Sequence, residues 1–126
     1  MPGNRRRYTR RDVELLRRNP VQQLEEIKKY CLIKPSICAR MIPINQLDSH
    51  INYVVLYIII SEANKMISVD YASKLLDIIE GYCFAFDEGL INSLQCWKKI
   101  NVEIMQKKLR DSKWNYLGVF EDDLDK

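Results

Sequence analysis

Glycine and proline are scarce in this sequence, which has only four of each among 126 residues. A sheet of many short strands needs frequent turns, and turns depend on these two residue types. The glycine-rich turns that hold nucleotide phosphates need several glycines within a few positions, whereas these four are scattered. The scarcity therefore favours long helices and predicts that the protein binds no cofactor through such turns.

The components of catalytic and metal sites are equally sparse. His50 is the single histidine, and its expected place near a helix start favours a surface or capping role over catalysis. No serine or cysteine lies in a recognisable nucleophile motif. We therefore expect no catalytic residue and no enzyme activity.

The cysteines do not follow the pattern of a zinc site, whose ligands occur in closely spaced pairs. There are four of them, at Cys31, Cys38, Cys83 and Cys96. Reduced thiols in the core are the expectation, and no metal is expected. A structural zinc site built from cysteines alone is the alternative.

Long apolar runs are also missing. The longest block, residues 54–60, is much shorter than the roughly 20 residues of a membrane-spanning helix. The basic N-terminus has no apolar stretch behind it, so a secretory signal is not predicted. We expect an intracellular protein, nuclear or cytoplasmic or both, with no membrane partner.

Helix-start signals divide the sequence into segments. Thr9 followed by Asp12 predicts a capping box, and Asn19-Pro20 predicts the end of one helix and the start of the next. Ser68 predicts a further start, as does Asp48 or Ser49. Asp87-Glu88 is interpreted as the start of the last long helix.

Apolar residues at helical spacing predict which faces are buried. In the second helix the expected inward face is formed by Val21, Leu24, Ile27 and Cys31, and in the helix after Ser68 by Ala72, Leu75, Leu76, Ile79 and Cys83. Residues 51–60 are ambiguous, because their β-branched and aromatic content favours a strand. Their expected cap, length and helical neighbours favour a central helix that is apolar almost all round.

The predicted fold is all-α, a small bundle of about five helices with a basic N-terminal arm and an acidic C-terminal tail. The arm is predicted to span residues 1–8, a single helical domain residues 9–120, and the tail residues 121–126. Residues 1–20 carry a net charge of +5 and the tail carries −3. Such asymmetry indicates an interacting head or tail.

The basic head holds seven of the nine arginines, namely Arg5, Arg6, Arg7, Arg10, Arg11, Arg17 and Arg18. If residues 5–18 form one helix, six of them share an arc of about 140°. The opposite half then carries Tyr8, Thr9, Val13, Leu15 and Leu16. Arginine forks match phosphate oxygens, although Glu14 lies inside the basic arc and weakens it.

The alternating arginine pairs of residues 4–18 resemble the arginine-rich arms of viral and phage RNA-binding proteins. This resemblance implies RNA binding, although Asp12, Glu14 and the Leu15-Leu16 pair depart from a purely basic arm. The stretch RYTRRDVELL also resembles the helix by which binding proteins grip the cap-binding translation initiation factor. Tyr8 fits that pattern, whereas Val13 stands where leucine is usual and Glu14 at the apolar position.

The leading hypothesis is a non-enzymatic regulatory or adaptor protein that binds nucleic acid, RNA more than DNA. All seven head arginines would contact phosphates and Tyr8 would stack on a base. The helical body would associate with a protein partner or with another copy. A small viral accessory protein would fit this combination of a short chain, a basic head and a helical body.

The alternative is a protein–protein interaction module or helical scaffold. Its anchors would be the face formed by Val13, Leu15 and Leu16, or the C-terminal segment with Trp114, Tyr116 and Phe120. The arginines would then serve as a nuclear import signal or contact an acidic partner.

Overall fold

The computed structural model describes residues 6–30 and 44–104. Five helices occur in these two stretches, and they contain no strand, so the prediction of an all-α bundle of about five helices is confirmed. The helices are α1 (Arg10–Arg18), α2 (Pro20–Tyr30), α3 (Ile44–Ala63), α4 (Val69–Asp87) and α5 (Ser93–Ile100). The predicted boundaries of arm, domain and tail stay predictions, since residues 1–5 and 105–126 lie outside the described residues.

Helix α3 is the centre of the bundle, because each of the other four helices packs against it. Every residue from Ile51 to Ser61 is buried. Burial on all sides explains why a segment rich in β-branched residues is helical here, as neighbouring helices cover its whole circumference. The helix begins at Ile44, so the expected starts at Asp48 and Ser49 are wrong.

Side-chain caps fix the start of α1, α2 and α4 as predicted. The Thr9 hydroxyl accepts a hydrogen bond from the Asp12 N–H, and the Asp12 carboxylate accepts one from the Thr9 N–H, completing the capping box. The Asn19 and Ser68 side chains each accept one backbone hydrogen bond, and these bonds cap α2 and α4. Because the box starts α1 at Arg10, a single helix over residues 5–18 is wrong.

The turn between α4 and α5 differs from the prediction. Asp87 ends α4 instead of starting the last helix. Gly89 has φ = +77°, a conformation that glycine adopts without the penalty a side chain would bring. The last helix then starts at Ser93, after a capping box formed by Asn92 and Gln95.

Helix α2 presents a different face to the core than its apolar pattern predicts. Val21 and Leu24 are 68% and 59% exposed, whereas Gln23, Glu26 and Tyr30 are buried. The expectation that Val21 and Leu24 face inward is therefore wrong. Cys31, the fourth expected member of that face, lies outside the described residues.

The polar side chains of α2 are buried because the first helix and the segment before it satisfy them. The Gln23 amide donates to the Leu16 carbonyl at 2.7 Å, near the end of α1, and this carbonyl also accepts a hydrogen bond from the Asn19 N–H. The Glu26 carboxylate accepts a hydrogen bond from the Tyr8 hydroxyl at 2.6 Å. Hydrogen-bonded partners offset the cost of burying polar groups.

Helices α4 and α5 complete the core. The predicted inward face of α4 is confirmed at Ala72, Leu75, Ile79 and Cys83, which are buried, while its fifth member, Leu76, is partly buried. From α5, Trp97 is fully buried and its ring meets the His50 ring edge-to-face, with centroids 5.3 Å apart. His50 thus packs on the core, and burial lowers the pKa of its imidazole.

A matched pair of leucine substitutions tests this arrangement. We expect Leu16→Ala to lower the free energy of unfolding by about 2–5 kcal/mol, because it leaves a cavity in the core. Leu24→Ala should change it by less than about 0.5 kcal/mol, because that side chain is largely in solvent. Urea unfolding measures both values, and equal losses would contradict the orientation of α2.

Candidate functional site

The segment before α1 lies against α3 in an extended conformation, held by one buried amide. The Asn52 side chain accepts from the Tyr8 N–H at 2.7 Å and donates to the Arg6 carbonyl at 2.7 Å. Its amide nitrogen also lies 3.3 Å from the Tyr30 hydroxyl. Asn52 is fully buried, and its side chain hydrogen-bonds to the backbone of the residues on both sides of Arg7.

Arg7 links two helices through a guanidinium fork. Its Nε donates to Asp48 of α3 at 3.1 Å, and its two terminal nitrogens donate to Asp87 of α4 at 3.0 Å each. Bidentate pairs of this kind are the strongest ion pairs that arginine makes. Chiefly because of the Asp87 hydrogen bonds, the pKa of Arg7 is raised above its ordinary value.

Tyr8 points into the protein. Its hydroxyl donates to Glu26, and its ring meets the Tyr30 ring edge-to-face with centroids 6.4 Å apart. Burial and the bond to Glu26 raise the pKa of Tyr8 well above its usual range. The ring is therefore partly buried against the bundle, although a base-stacking role was expected for it.

Glu26 is held ionised in this cluster. Its burial raises the pKa of the carboxyl, but hydrogen bonds from Tyr8, Lys29 and Gln22 outweigh that effect, and the pKa lies below its ordinary value. A buried carboxylate with several donors is a stable arrangement. Together with Asn52, Glu26 fixes the N-terminal segment in place.

Three further head arginines pair with carboxylates. Arg10 meets Glu80 of α4 at 2.6 Å, Arg17 meets Glu62 of α3 at 2.6 Å, and Arg18 meets Glu14 within α1 at 3.3 Å. The Arg17 pair is largely shielded, while the side chains of Arg10 and Arg18 are 83% and 80% exposed. Exposed pairs contribute only about 0–1 kcal/mol.

Arg6 and Arg11 are exposed and make no ion pair with a described residue. Arg5 lies outside the described residues. The head arginines are thus divided: the side chains of Arg7 and Arg17 are committed to the fold, and those of Arg6, Arg10, Arg11 and Arg18 face solvent.

Charge explains why the head docks where it does. Residues 6–30 contain eight basic and four acidic side chains, a net of +4, while residues 44–104 contain four lysines and eight acids, a net of −4. Among the described residues, the ion pairs that connect residues 6–30 to the rest of the protein all end on α3 or α4. An acidic surface of the same chain therefore receives the basic head.

A groove separates α1 from α4. Arg7 and Arg10 pair with Asp87 and Glu80 in that order, so the two chain segments run in opposite directions. The Arg7–Asp87 pair lies at one end of the run of α4 residues that line the groove, and the Arg10–Glu80 pair lies near its middle. The groove encloses about 450 Å³. Its apolar lining comes from three helices, at Val13, Ile51, Val55, Leu76, Ile79 and Phe84.

The other end of the groove holds an unused donor. Arg17 lines it together with Ser73 and Leu76. The Nε–H of Arg17 is buried, and it has no hydrogen-bond partner among the described residues. A buried donor without an acceptor costs about 1–3 kcal/mol, and an acceptor brought by a ligand would remove that cost.

The residues expected to anchor a partner protein have different positions. Leu16 is buried in the protein's own core and Val13 packs partly against it, whereas Leu15 is 55% exposed. Trp114, Tyr116 and Phe120 lie outside the described residues. Val13 is therefore the only one of these residues that lines the groove in the part of the chain the structure describes.

Sequence reasoning missed the residues that organise this site. Asp48, Asn52, Glu80 and Asp87 are spread over α3 and α4, and no spacing in the sequence joins them to Arg7 or Arg10. Asn52 had one local signal, since it is an amide beside a long apolar run. Such a residue in a buried helix needs a polar partner.

Within the described ranges no group of three His, Cys, Asp or Glu side chains is placed to hold a metal ion. None of the five helices there combines the length and apolar character needed to cross a bilayer. Cys31 and Cys38 lie outside those ranges.

The chain matches no protein-family model, no curated protein sequence and no solved structure.

A matched pair of arginine substitutions tests the structural role of the head. Arg7→Ala removes charged hydrogen bonds to two helices, and we expect it to lower the free energy of unfolding by about 1.5–3 kcal/mol. Arg11→Ala removes the same number of charges but no described contact, so its effect should stay within about 0.5 kcal/mol. Urea unfolding at fixed salt compares the two, and similar effects would contradict the docking of the head.

Proposed function

We propose that this protein is a non-enzymatic protein-interaction module that holds an amphipathic segment of a partner protein in the groove between α1 and α4. The observation that carries the proposal is the groove itself, with its apolar lining, charged walls and unpaired Arg17 donor. Grooves between helices commonly receive the apolar face of a partner helix.

The charges around the groove define the partner's chemistry. The α1 wall carries Arg10 and Arg17 with Glu14 between them, and the α4 wall carries Asp77 and Glu80. A fitting segment has apolar side chains three or four residues apart. It carries a carboxylate on the side that meets Arg17 and a basic residue on the side that meets α4.

The crossing ion pairs set the limits of the site. The Arg10–Glu80 pair is exposed and therefore weak, so a partner's own charged groups can replace it. The Arg7–Asp87 fork is anchored on α3 as well, and it closes the groove at that end. The segment is therefore expected to enter over Val13, Arg17 and Leu76.

A displayed library of short peptides, selected on the full-length protein, tests this proposal. We expect enriched peptides with paired apolar residues and a flanking acid, and their binding is measured by fluorescence anisotropy. Phe84→Asp, on the lip of the groove, should weaken binding at least about tenfold, or about 1.4 kcal/mol. Phe84 is 63% exposed, so this change leaves the core intact.

Leu24→Asp is the matched control, because Leu24 is similarly exposed but lies on α2, away from the groove. It should leave the affinity unchanged within about twofold. Binding that survives Phe84→Asp and is lost in Leu24→Asp would place the site on α2 and contradict the proposal, as would a selection that enriches no peptide.

Nucleic-acid binding is the second candidate, favoured by the exposure of four head arginines. Arg6 and Arg11 face solvent without a described ion pair, and Arg10 and Arg18 are only weakly paired. These four side chains can contact phosphates while Arg7 and Arg17 hold the fold. Any affinity would be electrostatic and would depend steeply on salt.

Titration of a labelled single-stranded RNA of mixed sequence tests this candidate. We expect binding at low salt, with the logarithm of affinity falling linearly with the logarithm of salt concentration. The double variant Arg6→Ala, Arg11→Ala should reduce that slope by roughly 0.7 for each lost phosphate contact.

The matched control removes two lysines of α5 by the changes Lys98→Ala and Lys99→Ala, which take away the same charge from a different surface. It should bind RNA as the unchanged protein does. No binding at low salt, or an equal loss in the lysine variant, would overturn a nucleic-acid role for the head.

A further inference from the structure

Two buried thiols meet where α4 packs on α5. Cys83 and Cys96 are both free thiols, 6% and 0% exposed. The Cys96 sulfur lies 3.6 Å from the carbonyl oxygen of Tyr82, the residue that precedes Cys83. This contact places the Cys96 sulfur against the turn of α4 that carries Cys83.

The two thiols have different surroundings. Cys83 lines the groove, beside Arg7 and Asp87, whereas Cys96 is enclosed and does not line it. The groove gives a small polar molecule a route to the Cys83 sulfur. The same route does not reach Cys96.

Electrostatics reinforces this difference. The neighbouring Cys96 thiol and the positive charge of Arg7 lower the pKa of the Cys83 thiol and outweigh the effect of its burial. The neighbouring Cys83 and burial raise the pKa of the Cys96 thiol. Thiolates are the nucleophilic form of cysteine, so Cys83 is the more reactive of the two.

We propose that Cys83 and Cys96 form a redox-active dithiol, which a hydroperoxide entering the groove converts to a disulfide. Cys83 is the attacking thiol and Cys96 the resolving one. This inference concerns the thiols and is independent of whether the groove binds a partner protein.

The oxidation takes place in two balanced steps. The Cys83 thiolate attacks one oxygen of the hydroperoxide, so an S–O bond forms and the O–O bond breaks. The other oxygen leaves with a proton as an alcohol, or as water from hydrogen peroxide.

Cys96 then gives up its proton and attacks the Cys83 sulfur. The S–S bond forms as the S–O bond breaks, and the hydroxide leaves as water. The two thiols together lose two electrons and two protons, and the hydroperoxide gains both.

The test treats the folded, full-length protein with hydrogen peroxide in a Cys31→Ser, Cys38→Ser background, which leaves only the proposed pair. The remaining thiols are then alkylated, and tryptic peptides are analysed by mass spectrometry without reduction. Both cysteines fall in the single tryptic peptide 75–98, so we expect that peptide to be unalkylated and lighter by two hydrogens, as an internal disulfide requires. Two thiols that stay reduced in the folded protein, under conditions that oxidise it in urea, would overturn the proposal.

Single variants separate the two roles. In Cys96→Ser, peroxide should convert Cys83 to a sulfenic acid that dimedone labels, because no resolving thiol remains. In Cys83→Ser, Cys96 should stay unlabelled. Labelling of Cys96, or no labelling in either variant, would contradict the assignment. Circular dichroism checks that each variant is folded.

Discussion

The docking of a basic N-terminal segment onto an acidic face of α3 and α4 is the interaction on which the rest of the structure depends. Helix α1 has nine residues, and isolated helices of that length are marginal in water. It buries only Leu16 fully. Its position therefore relies on the hydrogen bonds of Asn52 to the backbone of residues 6 and 8 and on the arginine ion pairs as much as on apolar packing.

This mode of docking also explains the groove. Arginine side chains are long, and those of Arg7 and Arg10 connect the N-terminal segment to α4 across a gap instead of packing the helices closely. The space between α1 and α4 is lined by apolar side chains that such bridges leave uncovered. The groove and the position of Cys83 beside Arg7 and Asp87 are thus consequences of the same ion pairs.

The arrangement sets two uses of the arginines against each other. A phosphate that captured Arg7 would have to break hydrogen bonds to two helices and leave Asp48 without its partner, which is costly for partly buried charges. A phosphate that bound Arg11 would break no ion pair with a described residue. The functions proposed for the head and for the groove share only Arg10, so they can coexist through the other exposed arginines.

The sequence predicted correctly those features that depend on composition or on residues only a few positions apart. The scarcity of glycine and proline indicated helices. The capping box at Thr9 and the caps at Asn19 and Ser68 depend on residues three apart. The apolar face of α4 followed from helical spacing. The end of α4 at Asp87 was missed, because a pair of acids also occurs at helix starts.

The contacts between distant residues could not be read in this way. Nothing in the sequence shows that Asn52 grips residues 6 and 8, that Glu26 is buried in place of Leu24, or that the acids facing the arginines come from α3 and α4. Composition and local spacing determined an all-α chain with a basic head. Tertiary structure alone decided which arginines are engaged and which remain exposed, since a carboxylate acts on a guanidinium only after folding has brought the two within hydrogen-bond distance.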